Sequence, residues 1–326
     1  MKIAVVGCGA VGSYYGAQLC RAGSEVHFLL RTDYEVVRRQ GVRIRSFQGD
    51  FTVRPHCATE PEAIGPSDMV MIGLKTTAND QFPCLLPPLA GPHTAVLTLQ
   101  NGLGNEERLA ELFPAGQILG GLCFVCLTRS APGVIQHTAH GRIVLGEFLP
   151  RPGERARDVA RLFQQAGVPC EVTADLRRAH WEKLVWNVPF NGLGVAGAAG
   201  YDAVLNGQVN PAAPPGPCLA TDALLGEPRW TALVRELMIE VIAAARVLGL
   251  DIPETLADEQ IARTRTMGAY KASTLLDFER GQPLELASLF REPLRQARTA
   301  GVATPRLAAL CDALNQLEAG ANRRAA

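Results

Sequence analysis

The chain opens on a short apolar run, Lys2-Ile3-Ala4-Val5-Val6, of the kind that forms a strand buried on both faces. A glycine-rich turn follows, and residues 13–22 then read as a helix closed by Gly23. Residues 25–30 (EVHFLL) form a second apolar run, and strand-like segments recur at 68–74, 94–99 and 118–127. Helical stretches over 78–89 and 106–113 separate them. Strands and helices that alternate in this way predict an α/β domain with a parallel, doubly wound sheet. Two hairpins are expected as additions: 43–46 with 51–54, around Phe47-Gln48-Gly49-Asp50, and 134–137 with 142–145.

After a last strand-like segment at 169–173 the two-residue period disappears. A long helical stretch opens at Asp175, and further helices are predicted at about 229–248, 253–267, 285–300 and 304–317. The organisation expected is therefore a sheet domain over 1–174 and an all-helical domain over 175–326. Residues 206–218 (NGQVNPAAPPGPC) interrupt the helical domain as an inserted loop or a disordered segment, because proline and glycine crowd its second half.

Composition narrows the function classes. With 326 residues, 47% of them apolar and 20% charged, the chain can bury the cores of two soluble domains. Lys plus Arg equals Asp plus Glu, at 32 each, which argues against nucleic-acid or polybasic membrane binding. No apolar run is long enough to span a bilayer, and Met1-Lys2 leads straight into a strand, leaving no room for a signal peptide. The nine cysteines are scattered; Cys123 and Cys126 form a lone C-x-x-C without a second ligand pair, so no metal site is expected. Reduced thiols and a cytoplasmic location follow as the default. Only four of the 32 basic residues are lysines: Lys2, Lys75, Lys183 and Lys271. A chain that otherwise uses arginine keeps lysine preferentially where a proton must be released, which arginine cannot do.

Gly7-Cys8-Gly9-Ala10-Val11-Gly12 lies between the first strand and the first helix, the context in which G-x-G-x-x-G binds a dinucleotide. The first glycine permits the turn, the second lets a pyrophosphate approach the backbone, and the third lets helix and strand pack closely. An acid after the second strand would accept the ribose 2′-hydroxyl. This chain has Arg31 there, and a cation suits a 2′-phosphate, so NADP(H) is the expected cofactor. Asp33 is the competing acid and is read as a helix N-cap. Lys75 follows the strand at 68–74, either facing the same phosphate or as a solvated loop lysine. Asn101, in Gln100-Asn101-Gly102-Leu103-Gly104-Asn105, either fixes the nicotinamide or the substrate or is simply half of an Asn-Gly turn.

The segment Trp181-Glu182-Lys183-Leu184-Val185-Trp186-Asn187-Val188-Pro189-Phe190-Asn191 is the most informative in the second half. Lys183, Asn187 and Asn191 share one face of an otherwise apolar helix. Buried polar groups need partners, here either a ligand or an interdomain hydrogen-bond network. Farther on, Gly281 and Pro283 break a helix and Glu285 falls in the first turn of the next, as a site acid or as a plain cap.

Taken together, KIAVVGCGAVG, Arg31, Leu74-Lys75, QNGLGN, WEKLVWNVPFN and KASTLLDFERGQPLE (residues 271–285) resemble the ketopantoate reductases, over nearly the whole chain. The resemblance implies an NADP-binding Rossmann-type domain, a helical domain and an active site in the cleft between them. It implies that Lys183 is the catalytic lysine and Glu285 the acid that positions substrate and lysine. Asn187, Asn191 and Ser273 match substrate-binding positions, Asn101 the asparagine near the nicotinamide, and Arg31 and Lys75 the NADP contacts. The implied activity is NADPH-dependent reduction of a 2-oxo acid, 2-dehydropantoate, in pantothenate and coenzyme A biosynthesis, and a homodimer is a compatible assembly.

The chain also departs from the pattern. Leu284 precedes the acid where threonine is common, 286–293 lack the family's Asp and Asn-Gly pair, and Thr304-Pro305-Arg306-Leu307 lacks a terminal Asn. The inserted loop leaves Tyr201 and Thr221 both open as substitutes for a further substrate-binding asparagine. A reductase of another 2-oxo acid, or a non-catalytic NADPH-binding protein, are the alternatives these departures keep in view.

Overall fold

A computed structural model describes residues 1–149 and 153–325. The chain divides into two compact units, Met1–Leu176 and Arg177–Ala326.

Among the described residues the first unit has ten strands: β1 (Lys2–Val6), β2 (Glu25–Leu29), β3 (Val42–Ser46), β4 (Phe51–Val53), β5 (His56–Ala58), β6 (Ser67–Ile72), β7 (Ala90–Thr98), β8 (Ile118–Ala131), β9 (Val134–Glu147) and β10 (Cys170–Val172). They form one sheet in the order β4-β3-β9-β8-β7-β6-β1-β2-β5, with β10 alongside β9. From β5 through β8 every neighbouring pair is parallel. From β1 the chain steps to β2, leaves for β3 and β4 at the opposite edge, comes back to β5 beside β2, and then sets β6 on the other side of β1. That reversal opens a crevice at the carboxyl ends of β1 and β6, where doubly wound sheets take their ligands.

Helices α1 (Ala10–Arg21), α2 (Tyr34–Gln40), α3 (Phe82–Leu85), α4 (Asn105–Ala110) and α5 (Glu154–Gln165) complete this unit. The alternation of β1 shows why the sheet needs cover on both faces. Ile3 and Val5 pack with Tyr14, Tyr15, Phe28 and Phe163, while Ala4 and Val6 pack with Phe82, Leu86 and Leu89. Each fully buried Val, Ile, Leu or Phe side chain of this kind contributes about 1.5–3 kcal/mol.

Three expectations are corrected here. Residues 134–145 are not a hairpin but the body of one strand, and the hairpin is β8 against β9. His140 (φ 62°) and Gly141 (φ 133°) mark the irregularity that reads as a turn, and the register shifts opposite them at Phe124/Val125. The helix expected at 78–89 is instead a 3₁₀ segment (Thr76–Gln81), the single turn of α3 and a second 3₁₀ turn (Pro87–Leu89). Pro83, Pro87 and Pro88 remove the donors a continuous helix needs. The stretch at 285–300 is also divided: Ala287–Arg291 is π-wound before α12 begins.

The second unit is helical: α6 (Leu176–Ala196, its first residue still in the first unit), α7 (Tyr201–Asn206), α8 (Thr221–Gly226), α9 (Pro228–Val247), α10 (Thr255–Arg265), α11 (Ser273–Glu279), α12 (Glu292–Thr299) and α13 (Pro305–Ala325). Buried Leu233, Val234, Leu237, Met238, Val241 and Ile242 give α9 a core-facing stripe. A side chain at Gly192 would meet Leu310 at 2.6 Å and Phe290 at 2.8 Å, so α6 lies against α13 and the π-wound segment. The inserted loop is ordered, not loose. Gln316 of α13 donates from Nε2 to the Gly207 carbonyl (2.7 Å) and accepts from the Val209 amide (3.0 Å), and Gly216 N donates to the Ala198 carbonyl (2.7 Å).

Candidate active site

The glycine motif forms the turn between β1 and α1. Gly7 adopts φ 92°, and a Cβ there would meet the Leu74 amide nitrogen at 2.2 Å, so only glycine lets β1 and β6 converge. A Cβ on Gly12 would lie 2.2 Å from the Gly7 carbonyl oxygen, which enforces the close approach of helix to turn. Around Gly9 a Cβ would meet nothing within 4 Å: this glycine faces open space. Gly9 is also the N-cap of α1, with no side-chain cap and no acid in the first turn. An uncapped twelve-residue helix above an open glycine suits a pyrophosphate, which its amides and dipole would hold. Ala10 and Val11 supply the first turn of that helix. Cys8 turns away from the opening, its thiol reaching the Val5 and Leu29 carbonyls (3.5 Å each), and burial pushes its pKa well above the ordinary thiol value.

Arg31 and Lys75 follow β2 and β6, the two strands that flank β1, and both side chains are exposed. Arg31 has no ion-pair partner among the described residues. Asp33 occupies the N-cap position of α2, but its side chain makes no capping bond. Its carboxylate instead accepts from Arg129 of β8, through Nε at 3.0 Å and also through the terminal guanidinium nitrogen, and from Gly133 N at 3.3 Å. Asp33 is thus a cap by position only.

Asn101 follows β7 and is half-buried. Its loop rests on a polar chain that local sequence did not announce. Thr98 Oγ1 donates to Gln100 Oε1 (3.0 Å), Gln100 Nε2 to Asn79 Oδ1 (2.7 Å), Asn79 Nδ2 to Asn105 Oδ1 (3.1 Å) and Asn105 Nδ2 to the Asn101 carbonyl (3.1 Å). Asn79 comes from the 3₁₀ segment, more than twenty residues away, so no spacing pattern could have flagged it.

In the helical unit, Lys183, Asn187 and Asn191 form one stripe on α6. Lys183 is half-buried, and Asn187 and Asn191 are buried. Asn191 Oδ1 accepts from Ser273 Oγ (3.2 Å) and from Thr274 N (3.0 Å), and its Nδ2 donates to Asn187 Oδ1 (3.5 Å). The stripe is therefore tied to the start of α11, and Asn187, Asn191 and Ser273 lie together. Trp186 locks the same helix from another side, donating from Nε1 to Thr264 Oγ1 (2.9 Å). Glu285 is only 4% exposed. It sits one residue before the helical stretch that starts at Leu286, not inside its first turn, and its carbonyl accepts from Leu289 N (3.3 Å). Tyr201 and Thr221 are both occupied structurally. Tyr201 packs edge-on against Trp230 (4.9 Å), and the Thr221 hydroxyl bonds the Gly268 and Tyr270 carbonyls (2.6 and 3.2 Å).

The family model described as "Ketopantoate reductase PanE/ApbA" matches residues 3–150, and its C-terminal counterpart, "Ketopantoate reductase PanE/ApbA C terminal", matches residues 203–318. The chain belongs to the ketopantoate reductase family. As in that family, a parallel-rich sheet domain precedes a helical one, and the protein is an oxidoreductase. A 2-dehydropantoate 2-reductase of Nostoc sp. is 39% identical, over 99% of this chain and 96% of its own length. A crystal structure of 2-dehydropantoate 2-reductase from Geobacter metallireducens is 46% identical, covers 97% of this chain and 99% of its own, and superposes with a TM-score of 0.88. A D-mandelate dehydrogenase solved with NADH and anilino(oxo)acetate shares the fold, with a TM-score of 0.86 at 19% identity, covering 99% of this chain and all of its own. Among the described residues no helix of this family member is long and apolar enough to cross a membrane, and no group of three or more His, Cys, Asp or Glu side chains could hold a metal ion.

Proposed function

We propose that the protein catalyses the NADPH-dependent reduction of 2-dehydropantoate to pantoate, a step of pantothenate and coenzyme A biosynthesis. The observation that carries the chemistry is Lys183, a half-buried amine on the polar stripe of α6. Gly7, Gly9, Ala10, Val11 and Gly12 would hold the pyrophosphate of NADPH on backbone amides, with Cys8 contributing its backbone alone. Arg31 and Lys75 would hold the 2′-phosphate, and Asn101 the nicotinamide end. When bound, the reduced nicotinamide supplies a hydride to the C2 carbonyl carbon of the oxo acid. Lys183, protonated, hydrogen-bonds the C2 oxygen and gives it the proton, leaving a neutral amine. General-acid catalysis of this kind is worth about 10² to 10⁴ in rate. Glu285 keeps the amine charged and aimed, and Asn187, Asn191 and Ser273 orient the substrate's polar groups. A cytoplasmic location belongs to the same reading, and the nine free thiols support it by fitting a reducing compartment.

The test is steady-state NADPH oxidation with 2-dehydropantoate and a panel of other 2-oxo acids. The highest kcat/KM is expected for 2-dehydropantoate. An oxo acid that exceeds it by about tenfold would move the assignment to that acid, and the π-wound segment after Glu285 would then be the place to seek the cause. Lys183→Ala should lower kcat by about 10² or more while the Kd for NADPH changes little; undiminished turnover would remove the proposed acid.

A further inference from the structure

The carboxylate most able to choose between the two nicotinamide nucleotides is already held by the protein. Asp33 lies just past β2, in the stretch where a doubly wound sheet places the acid that accepts a ribose 2′-hydroxyl. An ionised carboxylate left available there would favour the hydroxyl and repel a 2′-phosphate. In this chain Asp33 is 7% exposed and meets four donors. Arg129 forks around both oxygens, Gly133 N reaches Oδ2 at 3.3 Å, and Thr32 Oγ1 reaches Oδ1 at 3.2 Å. A carboxylate has about four acceptor sites, so little capacity remains for a ligand. Both long-range donors come from the far end of the β8–β9 hairpin. These two strands run fourteen residues each, whereas β7 pairs with β8 only at its first three positions, Ile118–Gly120. The outer part of the hairpin therefore reaches back to the end of β2, with Gly133 in its turn at φ 68°.

We infer that Arg129 is a specificity-determining positioning residue: by holding the Asp33 carboxylate it leaves Arg31 to select a 2′-phosphate over a 2′-hydroxyl. This rests on the NADPH reading given above. Arg129 does not itself touch the nucleotide in this account, which separates it from Arg31.

The experiment measures Kd for 2′-phospho-ADP-ribose and for ADP-ribose by calorimetry, and kcat/KM for NADPH and NADH, on the full chain and three variants. The wild type should favour the 2′-phosphate. Arg129→Met should reduce that preference by about tenfold, the order of effect of one uncompensated carboxylate near a phosphate at a partly solvated site. Asp33→Asn, which leaves the Arg129 cation unpaired, should keep the preference or raise it by up to about tenfold, and the Asp33→Asn/Arg129→Met double variant, which removes both charges, should return it to the wild-type value. A wild type without 2′-phosphate preference sinks the NADPH reading itself. A wild-type preference that survives Arg129→Met sinks only the inference. A loss that the double variant fails to repair shows Arg129 contacting the nucleotide directly and overturns the positioning role. Should Arg129→Met not fold, Arg129→Lys keeps the charge but cannot fork; a smaller shift in the same direction is expected, and none would count against the proposal.

Discussion

His137 shows how much one buried ring constrains. It packs against Tyr14 (4.4 Å between ring centroids) and Phe47 (4.9 Å), accepts at Nδ1 from Ser46 Oγ (2.9 Å) and donates from Nε2 to the His140 carbonyl (2.9 Å). Burial holds its pKa below the ordinary imidazole value of 6.5, with the neighbouring His140 adding to the effect. The unfolded chain therefore binds this proton more readily than the folded one. Stability attached to His137 is present above pH 6.5 and is lost as the pH falls below it. The urea midpoint should decline from about pH 7 to pH 5, and His137→Gln should flatten that part of the profile; an unchanged slope would assign the decline elsewhere. The thiols of Cys170 and Cys311 are likewise set by burial, which pushes each to about 12 and keeps them protonated and inert.

Among the elements, the β1–α1 turn offers the sharpest contrast between fold and ligand. Gly12→Ala would force a methyl to within 2.2 Å of the Gly7 carbonyl, and about 1–3 kcal/mol of stability should go with it. Gly9→Ala meets open space, so its melting temperature should hardly move while nucleotide affinity falls. Equal melting losses in thermal scans of both would show that the glycines serve packing alone. This turn was legible in the sequence because strand, glycines and helix are contiguous. So was the stripe on α6, whose i, i+4, i+8 spacing is written along one helix. The second hairpin was misread because His140-Gly141 looks like a turn while the long-range pairing of β8 carries the strand through it. Asp33 holds the N-cap position the sequence suggests, but its side chain turns to Arg129, 96 positions away, which no local pattern announces. The polar chain beneath Asn101 escaped for the same reason. Local spacing reports what lies on one element, and these contacts join separate ones. The missing asparagine after Thr304-Pro305 has a similar answer: Glu240 of α9 reaches across to cap α13, accepting from Arg306 N (2.9 Å) and Leu307 N (2.8 Å).

Across the whole molecule, the sheet unit and the helical unit each have their own core, so a ligand of the first need not stiffen the second equally. At about 100 times its Kd, NADPH should add roughly 2.7 kcal/mol to whatever unfolds with the site. Hydrogen exchange with saturating NADPH should slow most in the glycine turn and β1. If the central amides of α9 slow by the same factor, the two units open as one cooperative body. The same perspective bears on the strap between Gln316 and the loop after α7. One amide, near the end of the chain, grips both Gly207 and Val209. A descendant that discarded the loop would have no further use for glutamine at 316, and one that changed 316 would release the loop's first anchor. The two are a single heritable module, and a graft of the loop onto a sister enzyme should carry that distant glutamine with it.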